Sequence, residues 1–188
     1  IVHRSVDGGI NWVQQSSLRT GPLAVDPNDE NHLYAGSRDA MGIPQCCVSS
    51  DGGASWTCKT LDLRWGGWPS SIVIDPRDGN TAYVAMAGDF DNPGSGIYKT
   101  VNGGETWANV SQASSFYAEV ACLAINPSNP DVLIAGTVYG GFAAMGVFRT
   151  IDAGATWAPA NAGIPNYTEV YDLAIDPLRP DTVYAAAG

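Results

Sequence analysis

The sequence is poor in the residues that most catalytic and metal-binding chemistry uses. Its 188 residues include two histidines, four cysteines, and nine Lys and Arg against nineteen Asp and Glu. Two histidines do not make a His-based metal site, and His3 falls in a strand pattern, so neither a zinc centre nor a Ser-His-Asp triad is indicated. A phosphate backbone binds clusters of basic side chains, which a chain of net charge −10 is not expected to provide. We therefore expect no nucleic-acid partner. We also expect no metal and no other cofactor.

Long apolar runs are absent as well. No stretch approaches the 18 or more residues that a membrane span needs, so we expect no membrane insertion. No secretory leader is visible, and Ile1 is not an initiator methionine, so we expect a processed, trimmed or incompletely numbered chain. What the sequence does have is 22 glycines, 12 prolines and 45% hydrophobic residues. This composition is typical of many short strands joined by tight turns.

One eight-residue phrase occurs four times: Ser or Thr, any residue, Asp or Asn, Gly or Ala, Gly, any residue, Asn/Ser/Thr, and Trp. Recurrence at a fixed period predicts a repeat architecture. The residues that define the phrase are Ser5, Asp7, Gly9, Trp12, then Ser49, Asp51, Gly53, Trp56, then Thr100, Asn102, Gly104, Trp107, and finally Thr150, Asp152, Gly154, Trp157.

The residue types of this phrase predict a tight turn rather than a catalytic site. Glycine permits a positive φ, and the Asp side chain can accept backbone N–H bonds within its own turn. The Trp supplies a large apolar area to bury. Asn102 keeps the acceptor oxygen without the charge, so we expect its turn to be slightly weaker.

A second repeated phrase is an aliphatic run ending at Asp-Pro or Asn-Pro, for example Leu23–Pro27 and Leu173–Pro177. Such runs predict strands buried on both faces, here the innermost strand of each unit. A Tyr or Ile seven residues after each Pro marks a second strand, and the repeated turn joins a third strand to a fourth. The predicted units are 18–64, 65–113 and 114–163, with 164–188 and 1–17 combining into a shared or closing unit of one domain.

The Trp-terminated phrase resembles the Asp-box, or bacterial neuraminidase repeat. This resemblance implies an all-β fold, a propeller of four-stranded antiparallel blades, complete here or part of a larger ring. Longer phrases such as Gly96–Trp107 are similar to xyloglucanase-type glycoside hydrolases, and others to sortilin-type receptors and photosystem II assembly factors. In families with the motif the turn lies away from the ligand, so the resemblance implies structural roles for its residues.

Two cysteines lie symmetrically about the second repeated turn. If Ser49 faces Trp56 across the hairpin, Cys47 faces Cys58, close enough for a disulfide, with free thiols as the alternative. Cys46 points to the opposite sheet face and is expected in the core, and Cys122 is expected to be a buried thiol.

The ligand site is predicted on the loops that join strands two to three and four to one, opposite the repeated turns. Exposed aromatics beside charged groups suit a sugar ring, although the tryptophans could instead pack between blades. The candidate residues are Arg64, Trp65, Trp68, Asp89, Asp91 and Tyr139.

The expected function is a non-catalytic binding or scaffold module, secreted or at the cell surface, with a glycan or protein ligand. No catalytic residues are assigned. One alternative is a fragment of a glycoside hydrolase, which would need two carboxyl groups across an open cleft. Another is a structural assembly in which open terminal blades pair with a further chain by strand addition.

Overall fold

The computed structural model describes residues 1–61, 67–88, 96–111, 119–138 and 146–188. Every regular element in these ranges is a strand: β1 (Val2–Arg4), β2 (Val13–Ser16), β3 (Thr20–Asp26), β4 (Asp29–Arg38), β5 (Pro44–Ser49), β6 (Thr57–Thr60), β7 (Trp68–Ile74), β8 (Ala82–Ala87), β9 (Gly96–Thr100), β10 (Ala108–Asn109), β11 (Glu119–Ile125), β12 (Leu133–Val138), β13 (Gly146–Thr150), β14 (Ala158–Pro159), β15 (Val170–Ile175) and β16 (Val183–Ala187). The described structure is therefore all-β.

The strands form three four-stranded sheets and two hairpins. Strands β3–β6 make sheet I, β7–β10 make sheet II and β11–β14 make sheet III, each with its strands in sequence order. All neighbours are antiparallel. The order follows from the short turns, because a tight turn returns the chain beside the strand it has just left.

Successive sheets bury apolar side chains against one another. Sheets I and II share a core that includes Tyr34, Val84 and Tyr98. Sheets II and III share one built around Ile97 and Leu133, and sheet III packs in the same way on the β15–β16 hairpin. Sheets II and III are thus each covered on both faces, as expected for units that cannot bury their faces alone.

In sheets II and III the second strand is the most buried, which corrects the expectation that the innermost strand is buried on both faces. All six residues of β8 are buried, whereas β7 alternates between buried and partly exposed positions. The second strand has a hydrogen-bonded neighbour on each side and a sheet against each face. The first strand has one hydrogen-bonded neighbour within its own sheet.

Small residues let adjacent sheets approach closely. A Cβ added to Gly36 in β4 would lie 2.3 Å from Cβ of Pro69 in β7. A Cβ added to Gly136 in β12 would lie 2.7 Å from Cγ1 of Val170 in β15. Neither distance is sterically permitted, so glycine is required at both contacts.

The terminal hairpins remain separate two-stranded sheets. Strand β1 pairs with β2, and β15 pairs with β16. Every residue of β16 is exposed, unlike those of β8. A blade shared between 164–188 and 1–17 therefore stays a prediction.

The sheets have two distinct ends. The repeated turns and the Asp-Pro turns lie at one end, here called the turn face. The starts of β3, β7 and β11 lie at the other, here called the loop face. None of the described residues forms a helix long and apolar enough to span a bilayer.

Candidate functional site

The Asp of each repeated turn is occupied by hydrogen bonds within that turn. In the second copy, Ser49 Oγ donates to Asp51 Oδ1 at 2.8 Å, and the Ser55 N–H donates to the same oxygen at 2.8 Å. The Ser55 hydroxyl donates to Oδ2 at 2.5 Å. These donors, led by the Ser55 side chain, lower the pKa of Asp51 to about 2. Both oxygens of the carboxylate thus accept hydrogen bonds from within its own turn.

The other copies repeat this network. The pKa values of Asp7 and Asp152 are also lowered to about 2, led by the backbone N–H of Asn11 and the hydroxyl of Thr156 respectively. Asn102 accepts from Thr100 Oγ1 and from the Thr106 N–H at 2.9 and 3.0 Å, so the neutral amide keeps the geometry. The glycines at the fifth position all have φ between 81° and 90°: Gly9, Gly53, Gly104 and Gly154.

Of the residues predicted to bind a ligand, Trp68 lies within the described structure. Arg64, Trp65, Asp89, Asp91 and Tyr139 lie outside the described residues. Trp68 begins β7 on the loop face, and 49% of its surface is exposed. Arg38 Cζ lies 5.8 Å from the centroid of the indole ring. The Arg38 guanidinium also donates to the carbonyl of Gly67, which holds it beside Trp68.

Trp68 stands at a position that recurs in every repeat. Four residues before the leading Leu or Ile of each innermost strand, the sequence has Arg19, Trp68, Glu119 and Glu169. Trp68 pairs with Ala87, the last residue of β8, and Glu119 pairs with Val138, the last residue of β12. Glu169 exchanges backbone hydrogen bonds of 3.2 and 3.1 Å with Gly188. Trp68, Glu119 and Glu169 therefore start from equivalent points on the loop face, and Arg19 occupies the same position of the sequence repeat.

Two cavities flank Trp68. The first, about 500 Å³, is lined by Trp68, Pro69, Ala121, Tyr171 and both Glu119 and Glu169. The second, about 450 Å³, lies towards sheet I and is lined by Arg19, Arg38, Asp39 and again Trp68. We call the first the acidic pocket and the second the arginine groove. The indole separates two open spaces of different charge.

Hydrogen bonds between neighbouring innermost strands hold the floor of the acidic pocket. Ser70 Oγ in β7 donates to the carbonyl of Val120 in β11 at 2.6 Å. Ser71 Oγ accepts from the N–H of Leu123 at 3.1 Å. The strand ends that carry Trp68 and Glu119 are thus tied together by side chains as well as by packing.

The far wall of the acidic pocket is formed by Glu169 and Tyr171. The Tyr171 hydroxyl donates to Glu169 Oε2, and this bond raises the pKa of the phenol above its usual value. Just before them, Tyr167 has φ of 63° and is 72% exposed. A left-handed tyrosine is a strained conformation, and such strain is concentrated at functional sites.

Glu119, Glu169 and Tyr171 were missed by the reasoning from sequence. These three residues come from separate repeats, whereas the predicted ligand-binding residues were chosen as charged and aromatic side chains within single loops. The repeat itself could have revealed two of them. When the four repeats are aligned, the position four residues before each aliphatic run is occupied by Arg19, Trp68, Glu119 and Glu169.

The cysteines lie away from these cavities or beneath the surface. A disulfide joins Cys47 and Cys58, which are directly opposite in β5 and β6. Cys46 and Cys122 are buried free thiols, and burial raises the pKa of Cys122 to about 11. Within the described ranges, no group of three or more His, Cys, Asp and Glu side chains is placed to hold a metal ion.

Known structures share this arrangement of sheets. A GH74 xyloglucanase from Xanthomonas campestris matches 81% of this chain with a TM-score of 0.61 and 19% identity. An ancestral GH74 enzyme matches 95% with a TM-score of 0.68 and 21% identity. The fold is a β-propeller. The propeller fold also appears in YCF48 bound to D1 peptide, which matches 75% of the chain with a TM-score of 0.52 and 19% identity.

Sequence comparison agrees with the structural one over part of the chain. The propeller is 33% identical over 97 residues to the oligoxyloglucan-reducing end-specific xyloglucanase of Emericella nidulans. That alignment covers 47% of this chain and 10% of the fungal protein. The chain likewise spans 24–25% of the two GH74 structures and 40% of YCF48. No family model matches the chain.

Proposed function

We propose that this chain is a polysaccharide-binding segment of an Asp-box propeller related to glycoside hydrolases, and that the sugar chain lies over Trp68 on the loop face. The observation that carries the proposal is the half-exposed indole between two cavities, at the position where the innermost strands begin. An exposed aromatic face on a rigid strand offers apolar area to a pyranose ring with little loss of side-chain entropy.

The polar groups around Trp68 suit sugar hydroxyls. Arg19 and Arg38 line the arginine groove as donors, and Glu119 and Glu169 line the acidic pocket as acceptors. Arg38 is held near the indole by its bond to Gly67, so its remaining N–H groups are positioned in advance. Hydroxyl groups both donate and accept, and this site presents both kinds of partner.

The similarity to xyloglucanases supports a plant-cell-wall type of β-glucan as the first ligand to test. It also supports the hydrolase alternative, in which this segment supplies part of a cleft to a longer protein. We place the protein outside the cell or at its surface, where the Cys47–Cys58 disulfide would persist.

The test is calorimetric titration of the chain with xyloglucan oligosaccharides and cello-oligosaccharides, for wild type and Trp68→Ala. We expect wild type to bind at least one series and Trp68→Ala to lose about tenfold or more in affinity, roughly 1.4 kcal/mol. Trp12→Ala is the matched control, because Trp12 is 62% exposed but belongs to a repeated turn.

Each outcome decides the proposal. Equal loss of affinity in both variants, or unchanged binding by Trp68→Ala, would show that the sugar lies elsewhere. Binding only to peptides in a parallel screen would replace the glycan by a protein ligand. Release of new reducing ends from xyloglucan by the chain alone would favour the hydrolase alternative over pure binding.

A further inference from the structure

We propose that the cavity between the β1–β2 hairpin and sheet I binds Tyr184 from a second copy of this chain. The cavity has a volume of about 580 Å³ and lies on the turn face, where β1 and the first repeated turn form one wall. The wall on the sheet I side consists of Leu23, Val25, Glu30, Leu33 and Gly52. We call this cavity the tyrosine pocket. It lies at the opposite end of the sheets from Trp68, so the inference goes beyond the proposed polysaccharide binding.

A tyrosine of the second strand fills the corresponding position at two interfaces within the chain. Tyr34 of sheet I and Tyr83 of sheet II are both fully buried. A Cβ added to Gly104 would lie 3.5 Å from Cε1 of Tyr34, and a Cβ added to Gly154 would lie 3.5 Å from Cε1 of Tyr83. Each phenol ring therefore lies over the fifth-position glycine of the next repeated turn. Each hydroxyl donates a hydrogen bond to a backbone carbonyl of that next sheet.

The tyrosine of the last repeat has no such neighbour. Tyr184 in β16 stands where the repeat places Tyr34 and Tyr83. However, 62% of its surface is exposed, and its hydroxyl forms no hydrogen bond with the described residues. The β15–β16 hairpin buries its other face on sheet III, through side chains that include Leu173. The face that carries Tyr184 is therefore the uncovered one.

Sheet I carries a matching surface that is also uncovered. Leu23 and Val25 in β3 are 44% and 51% exposed. Ile72 and Ile74, at the same positions of β7, are only 8% and 7% exposed because they pack in the core that contains Tyr34. A phenol ring entering the tyrosine pocket would cover the two exposed side chains and remove apolar area from water.

The tyrosine pocket also offers hydrogen-bond acceptors for a phenol. The carbonyls that accept from Tyr34 and Tyr83 belong to residues whose repeat equivalents in sheet I are Glu30 and Gly52. Both of these residues line the pocket. The hydroxyl of Tyr184 can therefore find an acceptor of the same kind, which a buried phenol requires.

The two terminal hairpins identify the occupant as a second copy. In each complete sheet the first two strands carry the position of Tyr34, and the last two are joined by the repeated turn. The β15–β16 hairpin is a first pair and the β1–β2 hairpin is a last pair, and within one copy they are separate sheets. Pairing β16 of one copy with β1 of another completes a four-stranded sheet. That sheet continues the packing that already joins sheets I, II and III.

The first experiment is sedimentation velocity of the 188-residue chain over a wide range of protein concentration. We expect wild type to self-associate and Tyr184→Ala to raise the dissociation constant about tenfold or more. Tyr184→Phe keeps the ring and removes the hydroxyl, so it should raise the constant by about fivefold. Tyr167→Ala is the matched control, because Tyr167 is 72% exposed but lies on the loop face, and it should leave the constant unchanged.

A mixing experiment tests whether Tyr184 and the tyrosine pocket are partners. Leu23→Asp places a charge in the pocket and leaves Tyr184 intact, whereas Tyr184→Ala leaves the pocket intact. Each variant alone should lose self-association, and an equimolar mixture should form heterodimers through the one interface that remains wild type. Thermal unfolding shows that each variant is folded, and Val25→Asp replaces Leu23→Asp if the latter does not fold.

Three results would overturn the inference. A monomer at every concentration would exclude a second copy as the occupant. Self-association that Tyr184→Ala leaves unchanged would place the interface elsewhere. A mixture of the two folded variants that stays monomeric would show that these surfaces do not bind one another. Oligosaccharide titration reports on the Trp68 site separately, so each of these results leaves the polysaccharide proposal to its own test.

Discussion

The phenol of Tyr83 in sheet II donates a hydrogen bond of 3.1 Å to the backbone carbonyl of Ala153, in the repeated turn of sheet III. Tyr34, at the equivalent position of sheet I, donates to the carbonyl of Gly79 in sheet II at 2.8 Å. Burial is the main cause that raises both phenol pKa values, so both hydroxyls remain neutral donors. The second strands of sheets I and II are thereby each linked to the next sheet along the chain.

Replacing these tyrosines by phenylalanine tests the link. We expect Tyr34→Phe to cost about 1–1.5 kcal/mol of unfolding free energy and Tyr83→Phe about 0.5 kcal/mol. The difference arises because Ala153 also accepts from Lys99 Nζ at 3.1 Å, whereas no second donor among the described residues reaches Gly79. Urea unfolding measures both, and an equal cost would contradict the explanation.

The close approach of sheets I and II predicts that Gly36→Ala destabilises the fold. The added methyl group would overlap Pro69, so a strand must shift, at a cost of about 1–3 kcal/mol. Ala85→Gly, at the equivalent position in β8, is the control and should cost only about 0.5–1 kcal/mol. Thermal unfolding distinguishes them, and a neutral Gly36→Ala would show that the sheets are less tightly packed.

The repeated turns predict a defined pH dependence. Hydrogen bonds from Ser55 and Ser49 hold the pKa of folded Asp51 at about 2, below the ordinary value of an aspartate, so its ionisation stabilises the fold above about pH 4, and this contribution is lost as the pH falls towards 2. Asp51→Asn should therefore lower the melting temperature at pH 7, with a difference that shrinks between pH 4 and pH 2.

Asn102 supplies the reverse experiment for the same turn chemistry. Asn102→Asp should raise the melting temperature at pH 7, since Thr106 can then donate its hydroxyl to a charged acceptor as Thr156 does to Asp152 at 2.6 Å. A melting-temperature difference that stayed constant from pH 7 to pH 2 in either variant would argue against the ionised carboxylate as the source.

The disulfide predicts sensitivity to reductant. Cys47 and Cys58 are 11 residues apart, and closing a loop of this size restricts the unfolded chain by about 2–3 kcal/mol. Guanidinium unfolding in the presence of dithiothreitol should therefore give a free energy of unfolding that is lower by this amount. The Cys47→Ala, Cys58→Ala double variant should unfold at the lower midpoint and no longer respond to dithiothreitol; a continued response would implicate another thiol.

The uncovered terminal hairpins lead us to propose self-association of the 188-residue chain. In sheet II, Ala82 pairs with Thr100, and by equivalence Val183 of β16 would pair with Ser5 of a second copy. We expect dimers or longer assemblies by native mass spectrometry, disrupted by Tyr184→Asp. Leu178→Asp, 90% exposed in a turn, is the control. A monomer at all concentrations would remove the proposal.

The sequence was sufficient to predict the all-β class and the propeller fold, because the residues that form a turn lie close together in the chain. Gly53 needs a positive φ and Asp51 needs donors within four residues, and both requirements are met inside one short segment. Which strands are buried was harder to predict from the sequence. Strand β7 ends in an aliphatic run and yet is only partly buried. Strand β8 is fully buried because sheets cover both its faces.

The candidate site shows the same division. Trp68 could be predicted as a candidate from the sequence because charged residues and glycines lie near it. The repeat also places Arg19, Trp68, Glu119 and Glu169 at the same position. That these positions border two cavities of different charge was decided by the packing of one sheet on the next. Local turns are specified by hydrogen bonds between groups only a few residues apart in the sequence. A site shared among repeats depends instead on how each sheet is oriented against its neighbour. That orientation follows from the volumes of side chains at contacts such as Gly36 against Pro69.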